Sequence, residues 1–122
     1  MPHEIKLVDA ITGMRELCGG SVQIIDVDPA YESLNKWREM GTTARLAHSK
    51  QSSNDWFPTV PNEYFEDFFK ECYRVLDTDR YMYVHCDEET ADAIKPMIRA
   101  AGFHLRKSII WRKVGKLEEV NC

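Results

Sequence analysis

The chain is poor in the features that mark several protein classes. Its four cysteines, Cys18, Cys72, Cys86 and Cys122, are widely spaced and form no C-x-x-C pair. A disulfide scaffold would be denser, so reduced thiols in a cytoplasmic protein are expected. The same spacing offers no clustered ligands for zinc, and no metal is expected. No apolar run approaches the ~20 residues of a membrane helix. The start, Met1-Pro2-His3-Glu4, has neither the basic nor the apolar part of a secretory leader. Internal repeats and low-complexity tracts are missing. Glycine is scarce too, with six residues in 122 (Gly13, Gly19, Gly20, Gly41, Gly102 and Gly115) and no glycine-rich cluster following an apolar stretch.

What is present fits one domain of ordinary globular composition, 43% hydrophobic and 30% charged. The net charge of −4 conceals alternation along the chain. Residues 1–35 sum to −4, 36–62 to +2, 63–92 to −7 and 95–122 to +5. Two positive segments thus flank an acidic one. Such patches can serve a nucleic acid, and solvated helix faces with a basic strand explain them equally well.

Apolar spacing orders the elements. Ile5–Val8 reads as a short strand, and Asp9 as the N-cap of a helix over Ala10–Cys18 that Gly19-Gly20 ends. Val22–Val27 is rich in β-branched residues and reads as a buried strand. Pro29 stops its ladder, which puts Asp28 just past the strand's carboxyl end. Residues 35–62 lack periodicity apart from a short helix expected around Ser33–Met40; a loop of this length is usually functional or mobile. Asn62 is the expected N-cap of the clearest helix, with Phe65, Phe68/Phe69, Cys72 and Leu76 on one face. Tyr81–Cys86 follows as a strand. Asp87 caps a helix over Glu88–Ala101 that Gly102 stops, with Pro96 as its weak point. His104–Lys113 reads as a last strand by its period of two, with Leu105, Ile109 and Trp111 on one face. The alternation argues an α/β sheet with helices packed on it.

In open α/β sheets, ligands bind beyond the carboxyl ends of the strands. Asp28-Pro29-Ala30-Tyr31 holds such a place, although a strand-end Asp-Pro is by itself an ordinary turn. Asp26, on the same strand face as Asp28, is the weaker candidate acid and reads as a polar residue near the sheet's end. His85-Cys86 suggests a base and a nucleophile. Neighbouring strand residues point to opposite faces, however, so the two cannot meet and are expected to be buried.

Asp28-Pro29-Ala30-Tyr31-Glu32-Ser33-Leu34 resembles the D-P-P-Y signature of the amino-group DNA methyltransferases, which modify adenine N6 or cytosine N4. The likeness runs on through Gly41-Thr42-Thr43, Ser52-Ser53-Asn54-Asp55-Trp56-Phe57, Arg74-Val75-Leu76, Cys86-Asp87-Glu88-Glu89-Thr90, Ala101-Gly102-Phe103 and Ile109-Ile110-Trp111-Arg112-Lys113. It covers about residues 20 to 113 in the family's order. RNA and protein relatives usually carry Asn where this chain has Asp28.

The resemblance implies a Rossmann-like sheet, partial in this chain, that uses S-adenosylmethionine to methylate double-stranded DNA in a restriction–modification or phage setting. It implies catalytic roles for Asp28, Pro29 and Tyr31 and a cofactor pocket edged by Asp28 and Asp87. Asp28 and the Pro29 carbonyl would accept the two N–H groups of the target amine. Tyr31 would stack on a flipped base. Ala30 stands at the second proline, which keeps both acceptors and costs the turn rigidity. Lys36, Arg38, Arg45, His48 and Lys50 would pair phosphates, and Trp56 would stack on bases or close the core. Trp111 and Lys113 would pack and solvate a strand beside the site. The family's F-x-G-x-G cofactor loop and its target-recognition portion have no counterpart here. The expectation is a single α/β domain over 1–122 that forms the catalytic half of such an enzyme, alone or with a complementary half or a second copy. The alternative is a catalytically incomplete module that binds DNA or a partner.

Overall fold

The computed structural model describes residues 2–31 and 59–112. The elements are α1 (Ala10–Arg15), β1 (Ile25–Val27), α2 (Tyr64–Val75), β2 (Met82–Val84) and α3 (Glu88–Ala101). The strands pair in parallel, with Ile25 beside Met82, Asp26 beside Tyr83 and Val27 beside Val84. This is a small α/β unit, as the alternation of patterns predicts.

Each helix starts and stops for a local reason. Asp9 caps α1 by accepting from the Thr12 N–H at 3.1 Å. The helix ends at Arg15, short of the expected Cys18, and Arg74 reaches across from α2 to carbonyls at and just beyond that end. The guanidinium donates to Met14 O at 2.8 Å and Leu17 O at 2.9 Å. Gly20 then turns the chain at a φ of 70° and donates its N–H to Arg74 O at 2.9 Å. The start of α2 differs by one residue from the sequence expectation, with Glu63 and not Asn62 at the cap position and no side-chain cap bond. Backbone bonds within the turn do that work, from Tyr64 N–H to Pro61 O and from Phe65 N–H to Asn62 O, each 3.1 Å. Asp87 caps α3 through the Thr90 N–H at 2.8 Å, and Gly102 ends it at a φ of 117°. Pro96 lies within a continuous α3 and faces solvent, where the lost backbone donor is least costly.

The core lies on one side of the sheet. Phe65, Phe68, Phe69 and Cys72 of α2 are buried with Ile11 of α1 and Ile94 and Ile98 of α3. The sheet contributes Ile25, Val27, Met82 and Val84 to the same cluster. Phe69 has no exposed surface. Its ring stacks on Phe65 at 5.8 Å and meets Phe68 edge-on at 5.4 Å. Burial pushes the Cys72 thiol up to about 12, so it is an inert apolar group at neutral pH.

All four expected strands are shorter or missing, with Tyr81–Cys86 reduced to Met82–Val84. The run Val22–Val27 forms a ladder only from Ile25, with Val22 in an isolated bridge to Leu76. Ile5–Val8 is not a strand; Ile5 and Leu7 are fully exposed. The expected strand over His104–Lys113 is also absent through Arg112, where Ile109, Ile110 and Trp111 project into solvent, each more than four-fifths exposed. A period-two pattern needs a neighbour to complete its hydrogen bonds, and no partner strand flanks either segment among the described residues. Trp111 therefore does not pack beside the site as expected. The helix expected over Ser33–Met40 and the predicted role of Lys113 lie outside the described residues. Among those residues, no helix is long and apolar enough to cross a membrane.

Candidate active site at the carboxyl ends of the strands

β1 ends at Val27, and the next four residues turn sharply. The Pro29 carbonyl accepts from the Tyr31 N–H at 3.0 Å, closing a three-residue turn. The Ala30 carbonyl accepts from the Val60 N–H at 2.8 Å, and Tyr31 and Val60 form a parallel bridge. The turn is thus fastened to the segment that enters α2. Ala30 lacks the ring of a second proline, but its carbonyl is fixed by Val60 instead. Asp28 is exposed, and its carboxylate takes no hydrogen bond or ion pair among the described residues.

The second strand delivers its own groups to the same end. After Val84 come His85, Cys86 and Asp87, and the His85 N–H donates to Val27 O at 2.9 Å. Tyr31 lies among these groups. Its hydroxyl is shifted above the usual phenol range by partial burial first, then by the charges of Asp87, Cys86 and Asp28. Burial also raises the Cys86 thiol, with Asp87 and Asp28 adding to the shift and Lys95 opposing it. A protonated, half-buried thiol is a poor nucleophile, so Cys86 shapes the site without reacting. The predicted residues Asp28, Pro29, Tyr31 and Asp87 are therefore gathered at one end of the sheet.

His85 departs from its expectation. It is exposed where burial was predicted, and its Nε2 lies 2.7 Å from Asp26 Oδ1. Cys86 is half-buried, as the alternation of faces requires. The predicted DNA contacts Lys36, Arg38, Arg45, His48, Lys50 and Trp56 lie outside the described residues. Among those residues, no group of three or more His, Cys, Asp or Glu could hold a metal.

A feature not foreseen in the sequence adjoins the turn. An open cleft of about 240 Å³ lies between Pro29, Ala30 and Val27 on one side and Phe65 and Phe68 on the other. At its rim the Tyr64 hydroxyl donates to Asp9 Oδ1 at 2.8 Å. That bond, followed by the Thr12 N–H, holds the Asp9 carboxyl below its ordinary value. The helix-cap pattern at Asp9 accounts for its bonds to Thr12. The bond from Tyr64 joins residues 55 positions apart and leaves no local signal.

An α/β unit with acidic and aromatic side chains beyond its parallel strands has the layout of a ligand-binding enzyme sheet. A family model described as DNA methylase matches residues 22–122. The chain belongs to that family, the amino-group DNA methyltransferases. Comparison with curated proteins and with solved structures returns no match.

Proposed function

We propose that this chain is the catalytic portion of a DNA amino-methyltransferase that moves a methyl group from S-adenosylmethionine to the exocyclic amine of adenine, or of cytosine, in duplex DNA. The observation carrying this reading is the meeting of Asp28, Pro29, Tyr31 and Asp87 beyond two parallel strands in a member of this family. The sheet is read as part of a Rossmann-like one, within a single domain over 1–122, and the setting as cytoplasmic.

The chemistry follows from the groups present. A base amine is a weak nucleophile because its lone pair is delocalised into the ring. Asp28, open to solvent, can accept one of its N–H groups. The Pro29 carbonyl already takes the Tyr31 N–H but has a second lone pair for the other. Two acceptors on one nitrogen favour a pyramidal geometry and direct its lone pair outward. As the nitrogen becomes positive, the fixed charge of Asp28 stabilises it, and Asp28 is the acceptor for the departing proton. Tyr31 offers a stacking face to a base that must leave the duplex, worth about 1–3 kcal/mol.

S-adenosylmethionine fits the donor set in charge, since two carboxylates suit a cationic sulfonium and the hydroxyls of a ribose. Asp28 and Asp87 would hold it. When bound it supplies an electrophilic methyl group. Phosphate contacts are assigned to Lys36, Arg38, Arg45, His48 and Lys50, and a base contact to Trp56.

Incubating the full chain with duplex DNA and methyl-labelled S-adenosylmethionine, followed by nucleoside analysis, tests the proposal. Labelled N6-methyladenine or N4-methylcytosine is expected. Label that enters RNA or protein alone would overturn it. A second reading, an incomplete module that binds DNA, a complementary half or a second copy, is favoured by the exposed Ile109, Ile110 and Trp111 and by a sheet of two strands among the described residues. Calorimetry separates the two, because binding of S-adenosylmethionine by this chain alone contradicts the incomplete module.

A further inference from the structure

Among the described residues, the exposed face of the sheet holds a pair of side chains that the proposed chemistry does not use. Asp26 and His85 meet at 2.7 Å on that face, with both side chains about half exposed or more. The strand register explains why this contact matters. Val27 lies beside Val84, so one further step puts His85 beside Asp28. The bond from the His85 N–H to Val27 O at 2.9 Å belongs to the Val27–Val84 pair, the last of the ladder, and fixes the backbone of His85 just beyond it. Parallel strands lie ~4.8 Å apart, and residues in register share a face. Exposure agrees with this: Asp26, Asp28, Tyr83 and His85 are exposed, while Val27 and Val84 turn towards the core. By that count His85 is the residue that falls opposite Asp28, while its ring is bonded one step back, to Asp26.

An imidazole N–H on Asp28 would occupy the acceptor that the target amine needs, and a protonated ring would also cancel its charge. We infer that Asp26 is a positioning residue, a decoy carboxylate that holds the His85 ring and keeps Asp28 open to the substrate amine. The inference rests on the reading of Asp28 as that acceptor. Asp26 touches no reacting atom; it acts through His85 alone.

This arrangement makes an unusual genetic prediction, in which removing a second residue restores what removing the first has cost. In the full chain, Asp26→Ala frees the ring and lowers kcat for methyl transfer about tenfold, the scale of one hydrogen bond to a charged group, with KM for DNA unchanged. Asp26→Ala combined with His85→Ala returns kcat to the level of His85→Ala. If Asp26 merely supported the strand, the double variant would be at least as impaired as Asp26→Ala, and that result overturns the inference. A second readout needs no transfer: the carboxylate ¹³C signal of Asp28 moves in Asp26→Ala and moves back in the double variant. An Asp28 signal that ignores Asp26→Ala overturns the inference even in a chain that transfers nothing. Failure of the underlying reading looks different, with Asp28→Ala transferring methyl groups as well as the unsubstituted chain while the NMR displacement persists.

Discussion

The two faces of the β1–β2 sheet are built from alternate residues of the same two strands, yet they have little else in common. On one side, Ile25, Val27, Met82 and Val84 close onto a phenylalanine cluster shared by three helices. On the other, Asp26, Asp28, Tyr83 and His85 are exposed, and Asp26 meets His85 at 2.7 Å in solvent. Burial of the first set supplies stability by the hydrophobic effect. The second set adds little, since exposed pairs contribute ~0–1 kcal/mol. Stability and proposed chemistry are thus divided between faces, which makes the division testable by substitution on either side.

The largest effect is expected on the packed face. Phe69→Ala removes a ring with no exposed surface and should cost about 3–5 kcal/mol, read as a lower urea midpoint. That is a large share of the stability of a small domain. A loss below about 1 kcal/mol would break the assignment of the core. Next comes the turn after α3. Gly102 sits at a φ of 117°, and a Cβ there would lie 2.8 Å from the Tyr73 ring, which itself packs edge-on against Phe103. Gly102→Ala should cost about 1–2 kcal/mol, part of it recovered when Tyr73→Ala removes the clash and only the backbone strain is left.

Asp87 stands where the two faces meet, as helix cap and as a charge near Tyr31. Asparagine caps as well as aspartate, so Asp87→Asn should leave the urea midpoint nearly unchanged, whereas Asp87→Ala loses about 1 kcal/mol. Both should weaken S-adenosylmethionine binding in calorimetry, which separates the cap from the charge. The smallest effect concerns pH. The Tyr64 hydroxyl and the Thr12 N–H hold the Asp9 carboxyl below its ordinary value of 3.8. A depressed folded value gives stability that is present above that pH and is lost as pH falls through the folded value. Tyr64→Phe should therefore be less stable than the unsubstituted chain at neutral pH, with the difference fading in acid, and NMR should show Asp9 titrating higher.

Local chemistry was legible in the sequence and non-local pairing was not. The cap at Asp9, the cap at Asp87, the stop at Gly102 and the buried stripe of α2 follow from neighbouring residues, and the structure has all four. The gathering of Asp28, Pro29, Tyr31 and Asp87 was also legible, because the ends of parallel strands meet by topology. All but one of the failures, the cap expected at Asn62, share one cause. Alternation in Ile5–Val8 and in His104–Lys113 is compatible with a strand, but a strand exists only beside a partner, and the pattern does not name one. Arg74 bonding the end of α1, Tyr64 bonding Asp9, and His85 exposed on Asp26 are likewise contacts between residues more than fifty positions apart. Burial of His85 was expected from how often such residues lie inside, while the side it faces is set by the register with β1.

The division between faces is tested most directly at Asp28, by measuring transfer of labelled methyl groups to duplex DNA and the urea midpoint on the same preparations. Asp28→Ala should lower transfer by about 10²–10³-fold, the scale for losing one preorganised electrostatic contact. Its midpoint should stay within about 0.5 kcal/mol of the unsubstituted chain, as for an exposed residue outside the core. Unchanged transfer with an unchanged midpoint would contradict the account, because the chemistry would then lie somewhere other than the strand end.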